Sequence, residues 1–331
     1  MELYPIKFEP ILIDKIWGGS KLKKKLGKEK ASNTCGESWE ISSIEGHVSE
    51  VKNGFLKGND LNDLLEVYMA DLIGEVIYEK FGNEFPLLFK FIDASDVLSI
   101  QVHPDDNLAK NRHNAYGKTE MWYVLDADKD AELIIGFKKT INKEIYLQSL
   151  NNDELTTILN TEKVKAGSSF YIPAGRVHAI GKGILLAEIQ QTSDITYRIY
   201  DWNRKSKNGE ERELHTDLAV DAIDYAYHKK LNIEYDVKKN DASTLVDSKY
   251  FTTNFLFLDK KIETDYSILD SFIVYMCLEG EFMVELDNGT KELIKKGESV
   301  LIPAIAEQVS LTPIIETKIL EVFIKPDKLK K

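Results

Sequence analysis

Between residues 61 and 76 the side chains Leu61, Leu64, Leu65, Tyr68, Met69, Leu72, Ile73 and Val76 recur at three- and four-residue intervals. That spacing gathers apolar groups on one face of an α-helix, and Asn59 or Asp60 stands where a side-chain oxygen can cap its start. A second helix is predicted over about 215–228, where Leu218, Ala222, Tyr225 and Ala226 share a face and Thr216 can cap. Both helices read as packing elements. Elsewhere the pattern shortens to strands over 84–92, 97–103, 120–125, 133–137, 169–172, 184–191 and 196–202, separated by Gly, Asn and Asp turns. Many short strands with few helices predict a mainly β protein built of barrels or sandwiches. Residues 203–213 contain no apolar side chain and read as a solvated loop, and the basic run from Lys21 to Lys30 reads as a solvated face.

One stretch returns later in the chain. Residues 165–174, Lys-Ala-Gly-Ser-Ser-Phe-Tyr-Ile-Pro-Ala, echo residues 295–304, Lys-Lys-Gly-Glu-Ser-Val-Leu-Ile-Pro-Ala, at an offset of 130. Upstream of each lies a tyrosine-bearing strand, 121–125 in the first copy and 272–278 in the second, so the chain reads as two related β-barrels. Residues 235–248 are the candidate boundary, dividing a unit of residues 1–235 with helical additions from a barrel of residues 236–331. The chemistry separates them: Gln308 stands at the offset of His178, and no histidine follows His228, so the second barrel cannot repeat a histidine site.

A chain of 331 residues exceeds one small domain. Its 43 Lys and Arg against 55 Asp and Glu give a net charge of −12, which argues against nucleic acid or an anionic membrane as partner. Cys35 and Cys277, far apart in sequence, imply two buried thiols and a reducing cytoplasm rather than a disulfide framework. The start of the chain lacks a basic, then apolar, leader, and no run of about eighteen uncharged apolar residues occurs. Monomer and dimer both fit this pattern.

Three fragments carry candidate chemistry: Ser99-Ile100-Gln101-Val102-His103-Pro104, Gly117-Lys118-Thr119-Glu120 and Ile172-Pro173-Ala174-Gly175-Arg176-Val177-His178. On a strand Ser99, Gln101 and His103 point one way, and Lys118 shares a face with Glu120. Two imidazoles, one carboxylate and one amide oxygen make a four-ligand set of the kind Zn²⁺ accepts, one ion per chain, with a neutral Gln leaving the ion electrophilic. A metal beside a cation points to an enzyme. His47, His113, His215 and His228 read as structural or surface groups, with His113 on a surface loop.

The Ile-Pro-Ala-Gly turn followed by a His resembles the second signature of the cupin superfamily. The whole chain resembles one cupin family more closely, the type I mannose-6-phosphate isomerases in their shorter bacterial form. The likeness is carried by Gly36-Glu37-Ser38-Trp39-Glu40-Ile41, Phe85-Pro86-Leu87-Leu88-Phe89-Lys90, residues 98–106, residues 117–120 and residues 193–201, Ser-Asp-Ile-Thr-Tyr-Arg-Ile-Tyr-Asp. It implies two cupin jelly-roll barrels and Gln101, His103, Glu120 and His178 as zinc ligands, the set reached independently from alternation and donor chemistry. It also implies reversible interconversion of mannose 6-phosphate and fructose 6-phosphate, a hydrogen moving between C1 and C2 through an enediol. Such a step needs a base and something to hold the developing negative oxygen. Glu188, sharing its face with Leu186 and Gln190, matches a carboxylate assigned the first task; a structural hydrogen-bonding carboxylate is the alternative. Arg198 matches an active-site arginine that positions the sugar hydroxyls, its alternative being an ion pair with Asp194 or Asp201.

A phosphate carrying close to two negative charges needs local cations in so acidic a protein. Lys118 and Arg204 are the candidates, with Ser99 as hydroxyl donor, and Lys118 can instead reach the sugar. Two other readings stay open: a non-catalytic sugar-phosphate-binding bicupin, and a metal-dependent cupin dioxygenase, which Gln in the ligand set and the nearby cations disfavour.

Overall fold

The two-residue period builds strands whose opposite faces serve different purposes. All eight residues of the strand Ile184–Gln191 are buried. Leu185, Ala187 and Ile189 face a core shared with the C-terminal barrel, while Leu186, Glu188 and Gln190 line the inside of the first barrel. The computed structural model describes residues 2–205 and 209–329; residues 206–208, within the predicted polar loop, lie outside the described residues.

The first barrel closes a six-stranded sheet over a five-stranded one. The larger sheet runs Ile11–Gly19, Cys35–Ile41, Leu87–Ala94, Ile184–Gln191, Glu120–Ala127, Ser169–Ile172. The smaller runs Tyr197–Tyr200, Ile100–Val102, His178–Ile180, Glu132–Phe137, Leu159–Lys163. Between them, Trp122, Val124, Leu186, Leu133, Ile135 and Ile180 fill one end of the interior, leaving the other end to polar side chains. The second barrel repeats the plan, with sheets of five and four strands between Ala242 and Phe323. This is the expected pair of cupin barrels.

The barrels meet through an apolar seam in which the rings of Tyr123 and Phe255 stack with centroids 5.5 Å apart. The N-terminal segment crosses that seam, because Ile6 and Leu301 exchange backbone hydrogen bonds of 2.8 Å. The sequence echo is structural as well. Trp39, Lys90, Glu188, Trp122 and Phe170 form one cross-strand row in the first barrel, and Thr244, Asn254, Glu321, Tyr275 and Val300 form the matching row in the second. By the same registers Ile273 stands where Glu120 does, and Gln308 where His178 does.

Asp60 caps the first predicted helix through a reciprocal capping box with Asp63. The helix stops at Ile73 rather than 76, at Gly74, whose φ of 96° and contact with Asp270 exclude a side chain; Glu75–Phe81 then forms a separate helix. The helix predicted over 215–228 is confined to Thr216–Ala222, because Asp224 donates its N–H to Gly175 and the Tyr225 carbonyl accepts from Ile141. The basic run is more than a solvated face. It contains the helix Lys21–Leu26, and Lys28 is buried in an ion pair with Glu40 at 2.7 Å. His113 ends the helix Asp106–His113, instead of lying on a loop, with Nε2 2.8 Å from the Tyr197 hydroxyl. Among the described residues, no helix is long and apolar enough to cross a membrane.

Candidate metal centre

Two sheets deliver one cluster. Glu120 opens the strand Glu120–Ala127 of the larger sheet. In the smaller sheet, His178, Gln101 and Arg198 stand directly opposite one another across three strands and therefore share a face. His103 follows on the Gln101 side of the same chain segment. His103, Glu120 and His178 offer ligand atoms that all lie within 4.8 Å of one another, and all three are buried. Glu120 lies 3.3 Å from His178 Nε2 and 3.6 Å from His103 Nε2, and the Gln101 amide nitrogen is 3.2 Å from His178 Nε2.

The proton positions follow from the outer bonds. His103 Nδ1 meets the Ile195 carbonyl at 2.9 Å and His178 Nδ1 meets the Arg176 carbonyl at 2.8 Å. A carbonyl only accepts, so each Nδ1 carries the hydrogen and each Nε2 turns a lone pair to the common point. Burial, then the Lys118 charge, lowers the His103 pKa; burial pushes that of His178 down to about 4. Both rings are neutral donors. Burial, with Glu188 nearby, pushes Glu120 up to about 8.

These residues fit a divalent metal. Among the described residues, His103 Nε2 and both Glu120 oxygens are buried without a hydrogen-bond partner, which is costly unless something positive meets them. Ligands about 2.0–2.1 Å from a tetrahedral zinc stand roughly 3.3 Å apart, close to the separations above. A half-turn of the Gln101 amide would turn its oxygen to the same point.

Beside this cluster sits a network that the sequence did not reveal in full. Glu188 accepts from Lys90 Nζ at 3.1 Å and from Trp122 Nε1 at 2.8 Å, and Lys90 also donates to Gln190 at 2.7 Å. Trp122 in turn sets its ring edge against His178. Burial raises the Glu188 pKa, but Lys90, Lys118 and the Trp122 bond outweigh it and hold the carboxyl below its usual range. Lys118 is buried, and among the described residues its ammonium has no hydrogen-bond partner; burial and Lys90 lower its pKa against the pull of Glu120 and Glu188. Lys90 ends the Phe85–Lys90 motif, whose residues alone assign it no role. Its position directly opposite Glu188 is a matter of strand register.

Arg198 donates to the Glu213 carbonyl at 2.8 Å, and its buried Nε has no partner among the described residues. Within the same residues its side chain makes no ion pair with Asp194 or Asp201. Arg204 donates to the Val97 carbonyl, two residues before Ser99, and to Asp201, which also binds Arg212 through both carboxylate oxygens. Arg198, Arg204 and Arg212 thus bring three positive charges around one carboxylate, and Arg212 had no signal beyond its place in a polar loop.

A two-barrel cupin with one buried His–Glu–His cluster, flanked by cations, is an architecture able to hold a metal and an anionic ligand together. Residues 6–142 match the family described as phosphomannose isomerase type I, catalytic domain. The mannose-6-phosphate isomerase of Streptococcus mutans is 35% identical over 304 residues, covering 90% of this chain and 92% of that protein. The mannose-6-phosphate isomerase ManA of Bacillus subtilis is 36% identical over 306 residues, covering 92% and 94%. A solved mannose 6-phosphate isomerase from Bacillus subtilis superposes with a TM-score of 0.86 at 32% identity, over 97% of this chain and 99% of that one. The chain belongs to the type I mannose-6-phosphate isomerase family, a family of metal-dependent enzymes.

Proposed function

We propose that this chain interconverts mannose 6-phosphate and fructose 6-phosphate by proton transfer between C1 and C2 through an enediol, with the site wholly in residues 1–235. The observation that carries the reading is the set of buried donors, Glu120 and two neutral imidazoles, gathered beside buried cations, with His103 Nε2 and both Glu120 oxygens left without hydrogen-bond partners among the described residues. Gln101, His103, Glu120 and His178 would hold Zn²⁺. When bound, the ion supplies positive charge against the oxygen that turns negative as the enediolate forms, an effect worth several kcal/mol.

The remaining work falls to side chains. Glu188 takes the carbon-bound proton: Lys90 and Trp122 keep it ionised and fixed, and each carboxylate oxygen retains a lone pair. Lys118, buried among Lys90, Glu120, Glu188 and Glu37, serves the sugar end, where an amine without a hydrogen-bond partner among the described residues can pass a proton to or from a hydroxyl. Arg198, opposite Gln101, orients the C1 and C2 hydroxyls. Ser99 and Arg204 receive the phosphate, with Arg212 sharing the Asp201 load so that the cluster stays positive. Free, buried Cys35 and Cys277 support a cytoplasmic setting.

The test follows fructose 6-phosphate formation from mannose 6-phosphate, with and without chelator, in the wild type and in His178→Ala. Turnover that stops with chelator, returns with zinc and is absent in the variant supports the reading. Activity surviving both treatments overturns the metal role, and saturable binding without turnover leaves a sugar-phosphate binder.

A further inference from the structure

One hairpin of the second barrel docks beside the segment that leads into the site. Its two strands, Ala242–Asp247 and Thr252–Leu258, are joined by a tight turn in which Ser248 Oγ accepts from the N–H groups of Tyr250 and Phe251. The tip docks on the first barrel: Phe251 sets its ring edge-on to Tyr171, and the Tyr250 hydroxyl donates to Asp106 Oδ2 at 2.8 Å. Asp106 lies three residues beyond His103, in the first turn of the helix Asp106–His113.

The other oxygen of Asp106 holds, from outside the barrel, the segments that lead into the site. It accepts from the Gly117 N–H at 3.1 Å and from Gln191 Nε2 at 2.9 Å. Gln191 then accepts from the Thr119 N–H at 2.9 Å through its own oxygen and donates its backbone N–H to the Thr119 carbonyl at 3.1 Å. Gly117 and Thr119 flank Lys118, and Thr119 precedes Glu120. The Lys118 N–H is anchored to the Pro104 carbonyl at 3.1 Å, so the whole entry to the strand is pinned. A Cβ at Gly117 would lie 2.5 Å from the Asp106 nitrogen, so the approach admits no side chain.

We propose that Asp106 is a positioning residue for Lys118 and Glu120, and that Tyr250 of the second barrel sets it, giving that barrel a direct part in the geometry of the site. This rests on the function proposed above. One carboxylate ties the Lys118 segment to Gln191, the end of the strand that carries Glu188, so the proton-transfer groups and a metal ligand share one brace. A displacement of about 1 Å at such groups can cost on the order of 100-fold in rate, and partners behind metal ligands typically matter about 10- to 100-fold.

The experiment uses the zinc-loaded full chain with Tyr250→Phe, Asp106→Ala and Asp106→Asn. Steady-state kinetics on mannose 6-phosphate is read beside zinc release to a chromogenic chelator, well below the unfolding temperature of each variant. Tyr250→Phe should lower kcat about 10-fold with KM within about twofold, and Asp106→Ala should lower kcat further and speed zinc release about 10-fold. Asp106→Asn, which keeps an oxygen for Gly117 and Gln191, should recover most of the loss. Wild-type kcat and zinc retention in Tyr250→Phe overturn the proposal even if the alanine variant does not fold. A wild type inactive on the sugar phosphate refutes the functional reading instead, while zinc release still decides the brace.

Discussion

Lys90→Met removes the ammonium from the buried pair with Glu188 while keeping an unbranched apolar chain of similar reach. The two residues are 5% and 4% exposed, and after the change Glu188 retains only the Trp122 donor. Breaking a buried pair by deleting one partner costs about 3–5 kcal/mol. The carboxyl can limit the loss by taking up a proton. At about 1.36 kcal/mol per pH unit above an ordinary glutamate near 4.3, that route costs about 3.7 kcal/mol at pH 7 and about 1 kcal/mol at pH 5. In the variant the folded state keeps a proton that the unfolded state releases, so by linkage its stability falls as pH rises. In the wild type burial pushes Glu188 up, Lys90 and Lys118 pull it further down, and the group stays ionised in both states across that window. The stability gap between wild type and Lys90→Met should therefore widen by about 2.7 kcal/mol from pH 5 to pH 7. Urea unfolding of metal-free protein at both pH values measures it, repeated in a Glu188→Gln background where the slope should shrink to what Glu37 and Glu120, raised by burial and also pulled down by Lys90, contribute. A gap independent of pH, or a slope undiminished once Glu188→Gln has removed the carboxylate, refutes the assignment of Lys90 as the counter-charge of Glu188.

Arg204→Ala should raise KM for mannose 6-phosphate far more than for unphosphorylated mannose; equal effects on both sugars, measured by steady-state kinetics, exclude a phosphate contact. Glu188→Gln should depress kcat at least about 100-fold with little change in KM, since general base catalysis contributes about 10²–10⁴-fold, and an unchanged kcat returns it to a structural role. Gly117→Ala should lower kcat and loosen zinc, because the new methyl meets backbone of Asp105 and Asp106; wild-type kinetics would show that the segment can yield without consequence. Burial raises the Asp201 carboxyl but bonds from Arg212 and Arg204 outweigh it and hold it low. The stability it contributes is present above the ordinary Asp range near about 3.9 and is lost as pH falls below it. The Tm gap between wild type and Asp201→Asn should thus be full at pH 7 and shrink below about pH 4, and a gap that grows with acidity contradicts the pairing.

The candidate donors His103, Glu120 and His178, which the structure brings together, were legible in the chain as residue types on shared strand faces. Alternation along residues 99–103 and 118–120 fixes which side chains share a face, and imidazole and carboxylate donors restrict what can bind them. The echo between residues 165–174 and 295–304 likewise foretold two barrels, since each copy is a local turn entering a strand. What could not be read is the company of Glu188. Lys90 is 98 positions away and Trp122 is 66, and both touch it because Ile184–Gln191 lies between Leu87–Ala94 and Glu120–Ala127 in one particular register. A slip of a single residue would turn Lys90 into the seam between the barrels and Phe91 into the site.

By itself, the sequence determined most of the strands, the first capped helix, the duplicated plan and the donor types, because period, capping and ligand chemistry act over a few residues. Only the tertiary structure decided which charges face one another: Lys90 on Glu188, Arg204 and Arg212 on Asp201, and Tyr250 of the far barrel on Asp106. The physical reason is that sheet pairing and barrel closure join segments remote in the chain, and their register is selected by the total burial of both faces rather than by any one strand.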